Sequence, residues 1–490
     1  MEPTESPSSA PSSPKRRGLN AVLLITGLTA VMVAVSAKSN PSRPTADAAV
    51  GAGAAKSAVT LPGTTEILAA IPVPDPATDH GKALTQAIDQ VKRLPDNAAA
   101  WTTFGDMLAQ AQRDTLDNRF YNHAEKAYLT ALKLKPAHTG AMTGMAWVFG
   151  GRHQFDLSIL WAEKALALEP GNIACQGILG DAAVEVGDYD RGFDHYQKMM
   201  DLRPDLSSWS RGAYLLWLTG KQSRATLLME QAIRSGAPFA ENTAWCRARL
   251  AMMYFHDGLL PSAIGALQPV LNPATVNPHV LLAAGRIAAA TGDYITAEGY
   301  YRKVNASTPS LEALAALGDI QAVQGNAAAA EEFYAKVESL HNLHRETGIH
   351  DHMEMARFYA DHDRKVAAAL RLAVEHGQTG NPFEADTFAW LYFKTGDQPK
   401  AIEWIKRALR TGIPDASIHY HAACIATAAG DRVSAGKHLQ QAVSQNPHFS
   451  LLLSKDAFQR LNDLGNISPG VPDAAVAAPT PSTPSLTRLR

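Results

Sequence analysis

A spacing of about 34 residues recurs along this chain and decides what it can fold into. It is plainest between Asp386 and Pro447. There Phe388-Ala389, Tyr392, Gly396-Asp397, Ala401 and Ala408 are followed by Ala422-Ala423, Gly430-Asp431, Ala435 and Ala442. Ala389 and Ala423, Ala401 and Ala435, and Ala408 and Ala442 each stand one period apart. That period is the length of a helix–turn–helix unit, and one such unit is too short to bury its own apolar face. Copies must therefore stack, so the 490 residues give one elongated all-α domain rather than several globular ones.

The small residues carry the period upstream. In the first helix of each unit the position of closest approach holds Gly105, Ala146, Gly180, Ala213, Ala251, Gly285, Gly318, Ala356, Ala389 and Ala423. In the second helix two positions seven residues apart recur, as in Ala124/Ala131, Ser158/Ala165, Ala225/Ala232, Ala297/Val304 and Ala330/Val337, and two turns bring both to one face. Gly187-Asp188, Gly258, Gly292-Asp293, Gly325-Asn326, Gly396-Asp397 and Gly430-Asp431 mark the turns, where glycine ends a helix in the left-handed conformation. Pro136, Pro170, Pro204, Pro309 and Pro447 end second helices. Two stretches break the rhythm: extra residues around Asp114 to Asn122, and an irregular run from Ser339 to Val374.

From Ala98 to Pro447 the pattern resembles the tetratricopeptide repeat family. The resemblance implies a right-handed superhelical solenoid of about ten helix pairs that binds proteins or peptides. Residues 81–464 make up that solenoid, with Ala83 to Leu94 and Ser454 to Leu464 as capping segments. Family geometry turns certain first-helix positions toward the concave surface. Here these are Trp147, Tyr214, Trp217, Trp245, Met252, Phe255, Arg286, Phe383, Trp390 and Phe393, the expected partner-binding groove. Asp106, Asp181, Asp319 and Arg357 fall on the same line and mix their signs, without the Lys/Asn set with which some family members clamp a C-terminal carboxylate. The same aromatic rings also suit packing between repeats.

Ahead of the solenoid, Ser/Pro-rich residues 1–18 end in Lys15-Arg16-Arg17, and Leu19 to Ala37 is a continuous apolar run. Basic before apolar marks membrane targeting. Val35-Ser36-Ala37 offers a signal-peptide cleavage site, while about nineteen apolar residues approach the length of a spanning helix and favour a retained anchor. Either reading exports the solenoid, giving a disordered cytoplasmic N-terminus, a single pass through a bacterial-type inner membrane, and repeats on the periplasmic side or secreted. Residues 38–80 read as a flexible Pro/Ala/Ser-rich linker, and 465–490 as a disordered tail.

The chemistry that remains is sparse. A formal net charge of −2 gives no electrostatic case for nucleic acid. Cys175, Cys246 and Cys424 are far apart in sequence and read as buried thiols. Neither GxSxG nor GxxxxGK[ST] occurs, and an open groove lacks the dry pocket that catalysis needs, so the expectation is a scaffold with no enzymatic activity and no cofactor. The densest ionisable run is His341, His344, His350, Asp351, His352 and Glu354. It makes a periplasmic metal-handling protein an alternative, although His350 and His352 would point to opposite sides of a helix. A further alternative, an accessory subunit of an envelope enzyme complex, differs only in the partner.

Overall fold

The computed structural model describes residues 67–68, 71, 79–238, 240–271, 277–346, 349–377, 380–465 and 488–490. The expected anchor at 19–37 and tail residues 466–487 lie outside them. Among the described residues there is no strand, and no helix is long and apolar enough to cross a membrane.

Helix α1 (Asp79–Arg93) caps one end. Ten helix pairs follow: α2/α3 (Ala98–Thr115, Arg119–Leu134), α4/α5 (Thr139–Gly151, Phe155–Leu168), α6/α7 (Ile173–Glu185, Tyr189–Leu202), α8/α9 (Leu206–Leu218, Gln222–Ser235) and α10/α11 (Glu241–His256, Leu260–Leu267). The series continues with α12/α13 (Pro278–Ala290, Tyr294–Ser307), α14/α15 (Leu311–Val323, Ala327–Glu346), α16/α17 (His352–Asp361, Val366–His376), α18/α19 (Pro382–Lys394, Gln398–Leu409) and α20/α21 (Ala416–Ala428, Arg432–Gln445). Helix α22 (Ser454–Asp463) closes the far end. Consecutive helices pack as pairs, so the architecture is an all-α repeat solenoid.

Local chemistry sets each turn. The turn glycines 187, 258, 292, 325, 396 and 430 all adopt positive φ. The aspartate that follows several of them caps the next helix: Asp188, Asp293, Asp397 and Asp431 accept from the backbone N–H of Arg191, Thr296, Lys400 and Ser434. A cap of this kind is worth about 1 kcal/mol. Thus the Gly-Asp pair both stops one helix and starts the next.

In eight of the ten pairs the closest approach follows a size rule. Where the first helix offers glycine, the second supplies a tyrosine: a Cβ added at Gly105, Gly180, Gly285 or Gly318 would come within 3.0 Å of the ring of Tyr128, Tyr196, Tyr301 or Tyr334. Where the first helix offers Ala213, Ala251, Ala389 or Ala423, the equivalent position holds Met229, Leu267, Ile405 or Leu439, all buried. Three of the tyrosine hydroxyls donate to the aspartate after the glycine, to Asp106, Asp181 and Asp319, at 2.8, 2.8 and 2.9 Å. Cys175, Cys246 and Cys424 are buried within this packing.

The stack curls far enough to meet itself. Turn glycines of the third, fourth and fifth pairs abut the loops leading into and out of the ninth and tenth: Gly187 lies against Gly380, Gly220 against Gly412, and Gly258 against Gln445. Asn446 Nδ2 donates to the Phe255 carbonyl at 2.8 Å across this seam, and Arg113 pairs with Glu241 at 2.6 Å between the first and fifth pairs. The broad groove expected of the stack is therefore narrowed, because the third to fifth pairs meet the ninth and tenth along one side. Residues 488–490 also depart from the expected disordered tail, because Leu489 is 1% exposed against α7–α9.

Candidate functional site

First helices face inward, and beside the seam they line a partly open cavity of about 460 Å³. Volumes of roughly 300–1,000 Å³ are those of ligand pockets. Helices α8, α10, α12, α14, α16 and α18 line the cavity, together with Leu116, the start of α20 and residues 448–453. Tyr214, Trp217, Trp245, Met252, Phe255, Arg286 and Phe383 from the expected groove all line it. Trp147, Trp390 and Phe393 do not: Trp147 packs on Tyr121 at 5.3 Å, and Trp390 lies between Phe393 at 5.0 Å and His421 at 4.1 Å.

The aromatic wall is continuous across the seam. Trp217 stacks on Tyr214 at 6.0 Å, on Phe383 at 6.2 Å, and tilts over His256 at 5.1 Å. Arg249 lies over the rings of Tyr214 and Trp245, and Arg286 over that of Phe255. Trp217 is 5% exposed, yet its Nε1 donor has no hydrogen-bond partner among the described residues.

Charges of both signs complete the lining: Arg249, Arg286 and Arg357 stand with Glu312, Asp319, Glu354, Asp361, Glu384 and Asp415. Arg357 bonds Asp361 and Asp386, each at 2.8 Å, and His421 bonds Asp386 at 2.9 Å with both side chains fully buried. Burial alone would raise the Asp361 and Asp415 carboxyls. Arg357 beside the first, and His256 and Arg357 beside the second, hold them below the usual range instead. Burial pushes Glu354 well above the carboxylate range, helped by Asp351 and Glu312. It pushes His256 down to about 4 and His279 to about 3, whereas the hydrogen bond to Asp319 at 2.7 Å keeps His362 above its ordinary value despite burial. Burial also pushes the Cys175 and Cys246 thiols up to about 11 and about 12, which leaves them un-ionised at neutral pH.

The histidine-rich segment is arranged differently from the single helix on which His350 and His352 would diverge. Helix α15 ends at Glu346 and α16 begins at His352, so the chain reverses between them. Asp351 then accepts from His341 Nδ1 and His344 Nδ1, both at 2.6 Å. The His352 ring is 5.7 Å from that of His341, 5.8 Å from that of His350, and stacked at 3.8 Å on His376 from the end of α17. Of the paired histidines farther on, His421 is fully buried on Asp386, while His419 meets His438 at 3.1 Å. Arg249, His256, His279, His362 and Asp415 also line the cavity; they lie on first helices or at their caps, at positions other than those the family offsets select.

Residues 281–341 match a family model described as tetratricopeptide repeat. No curated protein matches the chain. Among solved structures it is similar to Pseudomonas aeruginosa pilF, with 19% identity and a TM-score of 0.32 over 45% of this chain and 96% of that one. It is also similar to a human IFIT1 dimer with PPP-AAAA, with 16% identity and a TM-score of 0.43 over 67% of this chain and 77% of that one.

Proposed function

We propose that this chain, a tetratricopeptide repeat protein, is a binding scaffold that takes an extended segment of a partner protein into its cavity. One observation carries the reading: Tyr214, Trp217, Trp245 and Phe383 line one wall of rings along a space of about 460 Å³. Side chains of the segment would bury apolar area against that wall. Arginines and carboxylates intermingled on the lining would fix the segment's orientation.

The location is read from sequence alone: Lys15-Arg16-Arg17 before residues 19–37 would place the scaffold at an inner membrane with its cavity on the far side. A partner that is a subunit of an envelope enzyme complex fits this reading equally. It contains no catalytic step.

The test is a photo-crosslinking residue installed in intact cells at Met252, inside the cavity, and at Leu157, exposed on an outer helix. A polypeptide adduct should form from position 252 and not from 157. It should fade when Trp217→Ala and Trp245→Ala are combined and circular dichroism shows the helices retained. Adducts of equal strength at both positions, or none at 252, would overturn the reading.

A further inference from the structure

We propose that His341, Asp351 and His352, with His376 beside them, form a site for one divalent transition metal of the imidazole-preferring zinc class. The inference is independent of the ring-lined cavity. One candidate ligand atom from each of His341, Asp351 and His352 lies within 4.8 Å of the others, and all three residues are buried. Four-coordinate zinc with bonds of roughly 2.0–2.1 Å needs ligand atoms a little closer than this, which side-chain rotation supplies.

Two features separate this cluster from an ordinary hydrogen-bonded turn. His344 Nδ1 holds one oxygen of Asp351 at 2.6 Å, and an outer hydrogen bond of this kind is how metal sites orient a ligating carboxylate. His341 Nδ1 stands 2.6 Å from the other oxygen, so an ion bound by both takes the place of the proton they share. Those bonds account for His341, His344 and Asp351 without any ion. They do not account for His352, which is 8% exposed and whose Nδ1 has no hydrogen-bond partner among the described residues. Burying a polar nitrogen unpaired is costly, and coordination removes the cost. Imidazoles with one carboxylate suit zinc and its neighbours in the transition series, whereas magnesium and calcium prefer oxygen.

The position suggests what the ion would do. Helix α15 runs 20 residues, longer than the other second helices, and this extension carries His341 and His344 out to the turn. The ion would then tie the end of α15, the start of α16 and the end of α17 together, at the joint where the 34-residue rhythm is interrupted.

The experiment uses the purified full chain in detergent, titrated with zinc in competition with a chromogenic chelator, and separately with cobalt. The wild type should take up one equivalent of zinc, and bound cobalt should give a visible d–d band that zinc removes. His344→Gln disturbs only the outer hydrogen bond and should weaken zinc by about 10–100-fold. The combined His341→Ala and His352→Ala variant should lose the site. Absence of the cobalt band in the wild type would overturn the proposal, as would unchanged zinc affinity in a double variant that keeps native helicity. Should that variant unfold, the wild-type cobalt band decides alone.

Discussion

Gly187 and Gly380 meet backbone to backbone across the seam along one side of the superhelix. A Cβ at either glycine would overlap the other's segment, and Gly187 has φ +78°. Gly292 has nearly the same conformation, φ +80°, but nothing within 4 Å of where its Cβ would be. Alanine at either position incurs the left-handed strain, about 1–2 kcal/mol. Only Gly187→Ala must also push the two walls apart, which adds about 1–3 kcal/mol if the seam holds. Urea unfolding should therefore rank Gly187→Ala below Gly292→Ala, and small-angle scattering should show a larger radius of gyration for the first alone. Equal behaviour would mean that the seam contributes nothing to holding the two walls together.

The size rule inside these eight helix pairs gives a second prediction. Gly285→Ala would force the Tyr301 ring away, since the added Cβ would lie 2.7 Å from it. Overpacking of this kind costs about 1–3 kcal/mol. Tyr301→Leu recreates the combination found at Ala251 and Leu267, so it should rescue much of the loss. A double-mutant cycle by chemical denaturation should give a favourable coupling of about 0.5–3 kcal/mol. Strictly additive losses would dismiss the rule.

These two cases show what the sequence displays and what it hides. Local rules were fully on view: Gly396-Asp397 stops and starts helices through its own φ and its own side chain, and Pro447 follows α21 by two residues. The partnership of Gly285 with Tyr301 was also present, though each residue alone reads only as small or aromatic. The seam is different in kind. Gly187 and Gly380 are an ordinary turn glycine and an ordinary loop glycine, and their meeting depends on curvature summed over the five intervening helix pairs. For the same reason the repeat register placed Trp217 inward without revealing Phe383 opposite it, and put Trp390 in the groove although His421 covers its face. His376 escaped notice because the reversal between α15 and α16 had to be in place before it could approach His352.

Between pH 7 and pH 5 buried histidines and buried carboxyls pull stability in opposite directions. Burial, first among the causes, pushes His153, His256 and His419 down to about 4 and His279 to about 3 from an ordinary 6.5. Below 6.5 the unfolded chain gains protons that these folded rings refuse, so their share of stability falls as pH drops from 7. His362 acts in the opposite sense: its raised value adds stability below 6.5 that is lost as pH climbs through the folded value. So do Asp106 and Glu185, which burial raises to about 7, and Asp114, raised to about 6: the folded chain takes up their protons before the unfolded chain does, which adds stability as pH falls from 7 to 5. The two sets oppose each other, so wild-type urea midpoints at half-unit steps should change little through that window, and Asp106→Asn combined with Glu185→Gln should make them decline toward pH 5; a variant profile as flat as the wild type's would contradict the raised carboxyls.

Asp386 carries more than its own charge. It is fully buried, accepting from Arg357 at 2.8 Å and from His421 at 2.9 Å. Asp386→Ala leaves the fully buried His421 without its acceptor while Arg357 keeps Asp361, a loss of about 1–3 kcal/mol. Trp390 stacks on His421, so its fluorescence should report the change directly. A loss below 1 kcal/mol would mean that water enters the site.

Leu489 tests whether residues 488–490 are part of the folded body. Its side chain fits against Gly212 and Leu228, and its N–H donates to Gln197 Oε1 at 2.9 Å. Arg490 reaches the Asp190 carbonyl at 2.8 Å and Asp194 at 3.4 Å, with its guanidinium over the Phe193 ring. Leucine burial of this extent is worth about 1.5–3 kcal/mol, comparable with the ordering of three residues, so the contact is poised near balance. Leu489→Asp should tip it. Amide exchange at 489 should then rise to the rate of an open chain, while the urea midpoint of the helices changes little because α7–α9 keep all their other contacts. Unchanged exchange in the variant would show that the arginines hold these residues without the leucine.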